Sequence, residues 1–271
     1  MAWYHRVGFR FFGGAVPPPA TCLSGESIRL CWFDPIPNLG DAISPFIVSH
    51  FSGRTVVHTG DRRRGKLLAV GSILSRARDG DVVWGSGLIS ADSRPRGTRI
   101  LVRAVRGPRT GARLRGLGID CPAVYGDPGC LLPRLHPRPA GARPRYALGV
   151  IPHHRDQDLV NLDDPAVHLI DIMAPPDAFL AALWECERVV SSSLHGIIFA
   201  EAYGIPADWL EVSDRVLGGG FKFADYYEGT GRECPTPLRP DRLSQQRAWT
   251  PPSAGTADRL AEAFPFPRAS P

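Results

Sequence analysis

Short apolar runs that alternate with helical stretches constrain this chain more than any other feature of its sequence. Residues 28–33, 67–70, 81–84, 100–104 and 123–125 are such runs, each followed closely by glycine or a polar residue. Mainly apolar runs of this length fit strands covered on both faces, as in a parallel sheet. Between them, residues 41–51 and 110–117 carry helical patterns, the second closed by Gly118. The alternation then restarts. Residues 146–151, 168–172 and 188–191 read as strands, 177–186 as a helix begun after Pro175 and Pro176, and 194–203 as a helix ended by Gly204 with Pro206 behind it. Repeated strand–helix alternation places the chain in the α/β class.

The two stretches are separated by PRLHPRPAGARPR, residues 133–145, whose proline and arginine content makes it the candidate linker. The resulting division is a flexible basic and aromatic leader at 1–26, a Rossmann-like domain at 27–132, the linker, and a second Rossmann-like domain with a C-terminal tail at 146–271. Two such halves enclose a cleft, and in folds of this kind ligands sit beyond the carboxyl ends of the strands.

With 271 residues, 43% hydrophobic and 22% charged, the chain can bury a core, and general disorder is excluded. The net charge is +5, carried almost wholly by arginine, since Lys66 and Lys222 are the only lysines. Guanidinium groups suit carboxylates and phosphates. An arginine-preferring genome explains the same composition, so charge alone only admits anionic partners, and nothing points to nucleic acid. Six cysteines lack CxxC or zinc-like spacing, the pattern of reduced thiols in a cytoplasmic protein. No apolar run reaches the roughly 18 to 20 residues that cross a bilayer. The opening MAWYHRVGFRFF reads either as a disordered leader or as a short segment resting on an anionic membrane.

His195 stands in the first turn of its helix, where unpaired backbone N–H groups and the helix dipole favour an anion. Ser191, Ser192 and Ser193 precede it and can cap the helix or donate to phosphate oxygens. A capping turn with an incidental histidine is the plainer alternative. Arg103 and Arg106 follow a strand and precede a helix, placed to hold a carboxylate in a fork. Surface charge is the preferred reading for Arg109, Arg113 and Arg115. Asp41 is a helix cap or a ligand for sugar hydroxyls, with Asn38 beside it. Trp84 is a face for sugar stacking or a core side chain. Asp127 sits in a tight turn or faces the cleft. The glycines 218–220 suggest a mobile loop carrying Lys222, and His153 with His154 reach the cleft. No HxH or HExxH motif accompanies them, and neither a metal nor another cofactor is implied.

Together the motifs resemble a family. NLGDAIS (38–44), VWGSG (83–87), VRAVRGPRT (102–110), VYGDPG (124–129), VIPHH (150–154), VVSSSLHGIIFAEAYGIPA (189–207) and FKFADYYEGTGR (221–232) are similar, in order and spacing, to the polysaccharide pyruvyltransferases, most of all to the ketal-forming enzymes of xanthan biosynthesis. The resemblance implies two Rossmann-like domains in the glycosyltransferase-B arrangement. It implies transfer of pyruvate from phosphoenolpyruvate, a co-substrate, to two hydroxyls, commonly 4 and 6, of a hexose in an exopolysaccharide or its polyprenyl-diphosphate-linked precursor, with peripheral contact at the cytoplasmic face of the inner membrane. His195 and Asp41 are the implied acid and base. Arg106, Arg103, Ser192, Ser193, Leu194, His195, Lys222 and His153 are expected at the donor; Asn38, Asp41, Trp84 and Asp127 at the acceptor. Many relatives have arginine where this chain has Ser193, which leaves another cation to supply that charge. A nucleotide-sugar glycosyltransferase and a non-catalytic glycan-binding subunit are the rival readings.

Overall fold

The computed structural model describes residues 27–33, 39–160, 164–243, 245 and 247–266. The basic leader and Asn38 lie outside the described residues. The first half holds a parallel sheet built from β1 (Ile28–Cys31), β2 (Val56–His58), β3 (Leu67–Leu68), β4 (Val82–Trp84) and β5 (Leu101–Ala104), in the order β2-β1-β3-β4-β5. The register runs Leu30 to Leu67, Leu67 to Val82 and Val82 to Leu101. Helix α1 (Leu39–Ser52) follows β1, and α2 (Pro108–Gly116) follows β5, with Pro108 presetting the first helical φ. A short helix, α3 (Leu132–Leu135), closes this half.

The second half holds β6 (Leu148–Ile151), β7 (Val167–Leu169), β8 (Val189–Ser191) and β9 (Ala207–Trp209), all parallel in the order β7-β6-β8-β9. Helices α4 (Pro176–Trp184) and α5 (Leu194–Ala202) alternate with these strands. In both sheets the order reverses direction once, between β1 and β3 and between β6 and β8. Such switch points leave a crevice at the carboxyl ends of the strands.

The end of the chain returns to the first half. Helix α6 (Phe221–Gly229) packs on α2, and α7 (Thr256–Glu262) lies under the strand end at Trp84. Trp84 is fully buried, its Nε1–H donates to the Leu260 carbonyl at 2.7 Å, and the Phe264 ring centroid is 4.8 Å away. One continuous core therefore joins Leu30, Ile43 and Trp84 to Phe179, Ile197, Phe199 and Tyr226. Each such side chain contributes about 1.5–3 kcal/mol by leaving water. Residues after α3 are fastened to the second half, where Tyr203 Oη donates to the His136 carbonyl at 2.6 Å and Arg138 Nη2 to that of Trp184 at 2.7 Å.

Three local expectations need correction. Residues 123–125 form only a single bridge, Val105 to Tyr125, because the chain turns away at Gly126 and Asp127. Strands β2 and β9 were not expected; each is three residues long at a sheet edge. Lys222 lies not on a loop but in the first turn of α6, whose N-cap is Gly220 at φ 83°.

Candidate active site

A cavity of about 330 Å³ opens where the two switch points meet. The first half contributes Phe33 after β1, Asp41 in α1, the segment from Ser72 to Arg76 after β3, and Ile89. The second contributes His153, His154 and Arg155 after β6, Ser193 to His195 after β8, and Leu217 and Lys222. Its walls thus carry Arg76, Arg155 and Lys222 against one carboxylate, that of Asp41.

His195 occupies the first turn of α5, and its helix is one long buried run from Gly196 to Glu201. The imidazole stacks on Phe199 with centroids 5.7 Å apart and packs directly against α1 at Gly40. A Cβ at position 40 would lie 1.8 Å from His195 Nδ1, so only glycine leaves room for the ring. His195 Nε2 is buried with no hydrogen-bond partner among the described residues, and the nearest carboxylate oxygen, Asp127 Oδ2, is 3.8 Å away. Asp127 is itself buried and held by two amides, those of Gly71 at 3.2 Å and Gly129 at 2.9 Å. Asp41 Oδ1 and His195 Cε1 both lie against Gly71 at the end of β3, which brings a carboxylate and an imidazole to one spot.

The serines act on the turn rather than on the helix. Ser191 Oγ donates to the Ile151 carbonyl and accepts from the Ser193 amide, and Ser192 Oγ donates to buried Asp156 at 2.8 Å while accepting from the His153 amide. Ser193 holds the N-cap position without a side-chain cap, so it does not satisfy the first amides of α5. Asp156 also accepts from Ser213 at 2.6 Å, which ties the β6 loop to the segment after β9.

Burial governs the charges. It pushes His153 down to about 3, with Lys222 and His154 adding to the effect, so this ring is neutral near pH 7. His154, its ring tilted against that of His153 with centroids 4.1 Å apart, is lowered for the same first reason. Burial likewise takes Lys222 down to about 8, with Arg106 next in the same direction while Asp156 and Asp41 oppose it. Near neutral pH Lys222 is a cation that releases its proton readily.

Of the expected site residues, Asp41, His153, Ser193, Leu194, His195 and Lys222 meet at the cavity. Ser192 and Asp127 lie just behind its wall. Arg106 is fully buried and paired with Asp225, Arg103 is on the exposed side of β5, and Trp84 is inside the core. Arg76, Arg155 and Ser72 are among the wall residues that the sequence analysis does not single out. Arg76 sits 5.3 Å over the Phe33 ring and forms no ion pair among the described residues. Its position in the turn after β3 was the available signal, hidden among neighbouring arginines. Among the described residues no three His, Cys, Asp or Glu side chains converge as metal ligands would.

Comparison with known proteins agrees with this arrangement of motifs. Residues 27–214 match the model of a family described as polysaccharide pyruvyl transferase. An uncharacterized protein of Acanthamoeba polyphaga mimivirus is 35% identical over 172 residues, which are 60% of either chain. The succinoglycan biosynthesis protein ExoV of Rhizobium meliloti is 28% identical over 135 residues, 48% of this chain and 40% of ExoV. The matched part thus spans less than two thirds of either curated relative. The crystal structure of a functionally uncharacterized Klebsiella pneumoniae protein aligns with 79% of this chain and 92% of its own, at 12% identity and a TM-score of 0.46. By the family match over most of its described length, this chain is a member of the polysaccharide pyruvyl transferase family.

Proposed function

We propose that this protein transfers pyruvate from phosphoenolpyruvate to two hydroxyls of a hexose, forming a cyclic ketal and releasing phosphate. The observation that carries the reading is the charge of the cavity in a chain of this family: three cations and three histidines around one carboxylate. A trianionic donor suits such a wall, because buried cations lose hydration that an anion replaces. The relative that takes part in succinoglycan biosynthesis supports an exopolysaccharide as the acceptor's class.

In this reading Arg76 and Lys222 hold the carboxylate and phosphate of the donor, and the uncapped first turn of α5 at Ser193, Leu194 and His195 faces the same anion. His195 protonates the methylene carbon, C2 becomes electrophilic, and Asp41 takes the proton of the first attacking hydroxyl. A C–O bond forms at C2. The bond from C2 to the phosphate oxygen breaks, and the second hydroxyl closes the ring. Of the two hydroxyl protons, one replaces that given to the methyl carbon and the other leaves with phosphate, so the sum balances. His153, neutral near pH 7, hydrogen-bonds the donor in this reading.

The finer parts of the reading are the 4,6 hydroxyl pair, likeness to the xanthan ketal enzymes, a polyprenyl-diphosphate-linked acceptor, and action at the cytoplasmic face of a membrane. No helix among the described residues is long and apolar enough to cross one. The glycosyltransferase-B arrangement, with the domain division at residues 133–145, belongs here too.

The test is incubation of the full chain with phosphoenolpyruvate and glycans ending in different hexoses, following phosphate release and glycan mass. One pyruvate ketal per glycan is expected, with turnover abolished in a folded His195→Ala variant. Transfer from a nucleotide sugar with no use of phosphoenolpyruvate would overturn the proposal.

A further inference from the structure

The sequence places Arg106 at the ligand, yet the folded chain puts it behind the cavity wall. Its guanidinium is fully buried. Nε donates to Asp225 Oδ2 at 3.1 Å, Nη1 to Ser72 Oγ at 2.6 Å, and Nη2 to the Leu88 carbonyl. Asp225 comes from α6, 119 residues further along the chain. Its carboxylate also receives the Thr110 amide at 2.8 Å and the Thr110 hydroxyl at 2.7 Å. The two backbones touch there: a Cβ on Gly107 would lie 1.7 Å from the Asp225 carbonyl oxygen. Helix α6 is therefore docked on the turn between β5 and α2 through one buried ion pair.

Lys222 stands three residues before Asp225 on the same helix, and residues at that spacing share a face. The face of α6 that carries Asp225 into the first half thus also carries Lys222 into the cavity. Ser72, held by Arg106 Nη1, lies on the opposite wall of the same cavity. We infer that Arg106 and Asp225 are a positioning pair, which locks α6 to the first half and so sets Lys222 and Ser72 around the space where the anionic donor binds.

This assignment deepens the proposed function and rests on it for its kinetic consequence only. Its electrostatic consequence needs no substrate. Lys222 is faced by Arg106 from the β5 turn, Arg155, Asp156, His153 and His154 from the β6 loop, and Asp41 from α1. Arg106 follows burial as the next cause that lowers its proton affinity. Removing the charge of Arg106 must raise the Lys222 midpoint. Removing that of Asp225 leaves Arg106 uncompensated and must lower it. A residue that only stabilised the fold would not give opposite signs.

Lys66 and Lys222 are the only lysines, so the full chain with carbon-13 at lysine Cε gives two signals to titrate. The wild-type Lys222 midpoint is expected near 8. Arg106→Gln should raise it, and Asp225→Asn lower it, each by about half a pH unit or more. Midpoints that stay within about 0.2 unit in folded variants, or that move in the same direction, would overturn the inference. If one variant gives no cooperative melt, the sign found in the other decides. If neither folds, Thr110→Val, which takes one hydrogen bond from Asp225 and keeps both charges, decides: loosening the pair should move the Lys222 midpoint by more than about 0.2 unit, and an unmoved midpoint overturns the inference.

With phosphoenolpyruvate as substrate, Arg106→Gln should raise KM about tenfold in the wild-type background and no more than about twofold beside Lys222→Ala. Fully additive losses would refute action through Lys222. A wild-type protein that ignores phosphoenolpyruvate would refute the proposed function, while the titration still judges the pair.

Discussion

Gly40→Ala is the substitution that most directly tests whether the imidazole of His195 is held in a working position. Gly40 lies in the first turn of α1 and is not among the glycines with positive φ, so its backbone accepts alanine. Helix propensity alone favours the change by about 0.5–1 kcal/mol. The new methyl, however, would lie 1.8 Å from His195 Nδ1, 2.3 Å from Cγ and 2.4 Å from Cε1. Ordinary contact needs about 3.5 Å, so the ring must retreat by about 1.5 Å or more. It can do so by swinging into the cavity it lines, at a rotamer cost of about 0.5–1.5 kcal/mol. The two terms nearly cancel, and the melting temperature should hardly change. Catalysis should change greatly, since a misplacement of about 1 Å costs about a hundredfold, or about 2.7 kcal/mol of barrier. The assay is phosphate release from phosphoenolpyruvate in the presence of acceptor glycan, beside thermal melting of the same samples. In a His195→Ala background the Gly40 change should have no further effect. A folded Gly40→Ala protein whose kcat/KM stays within about threefold of wild type would show that the reaction does not need His195 where it stands.

Trp84→Phe should lower stability by about 1–3 kcal/mol, through the lost hydrogen bond to Leu260 and the space left beside Phe51 and Phe264, and leave the KM for acceptor unchanged; a raised acceptor KM at normal stability would restore Trp84 as a sugar platform. His153 gives a pH signature: its folded value of about 3 lies below the 6.5 of an exposed histidine, so the unfolded chain takes up the proton first as pH falls. Stability from this group is thus complete above about pH 6.5 and is lost progressively toward pH 3, and His153→Gln should flatten that part of a urea-midpoint curve against pH. An unchanged slope would mean that His153 is solvated in the native state.

Much of the site was legible because it lies where strands end. His195 follows a buried strand and opens a helix that Gly204 and Pro206 close, and Asp41 follows β1 in the same way; local signals alone put both at carboxyl ends. Lys222 stood out as one of two lysines, but its helix and burial depend on Asp225 reaching Arg106 across 119 residues, which no local pattern reports. The same pairing explains why Arg106, correctly read as lying at the mouth of a strand, was expected at the ligand: its partner is remote in sequence. Arg76 was lost among its neighbours Arg78, Arg94, Arg96 and Arg99, since only tertiary placement separates a wall guanidinium from a solvated one. Strands β2 and β9 escaped because a three-residue edge strand needs little apolar patterning of its own.

The contrast between Arg106 and Arg76 bears on how the cavity works. Both guanidinium groups lie near the end of the first sheet, yet one is neutralised by a buried carboxylate and the other faces open space over an aromatic ring. Lys222 resembles Arg76, with no carboxylate in contact among the described residues and a proton affinity lowered chiefly by burial. Leaving two cations partly dehydrated and unpaired costs stability that a nearby Asp or Glu would recover. The cost is tolerable because the ion pair of Arg106 and Asp225 fixes the elements that carry them, so the cations cannot relax into solvent. In the proposed function an incoming anion finds charge already oriented, and its binding would restore the lost proton affinity of Lys222. In the proposed reading, the pair that locks α6 to the first half supplies rigidity and the cations of the cavity wall supply affinity, as two parts of one electrostatic arrangement.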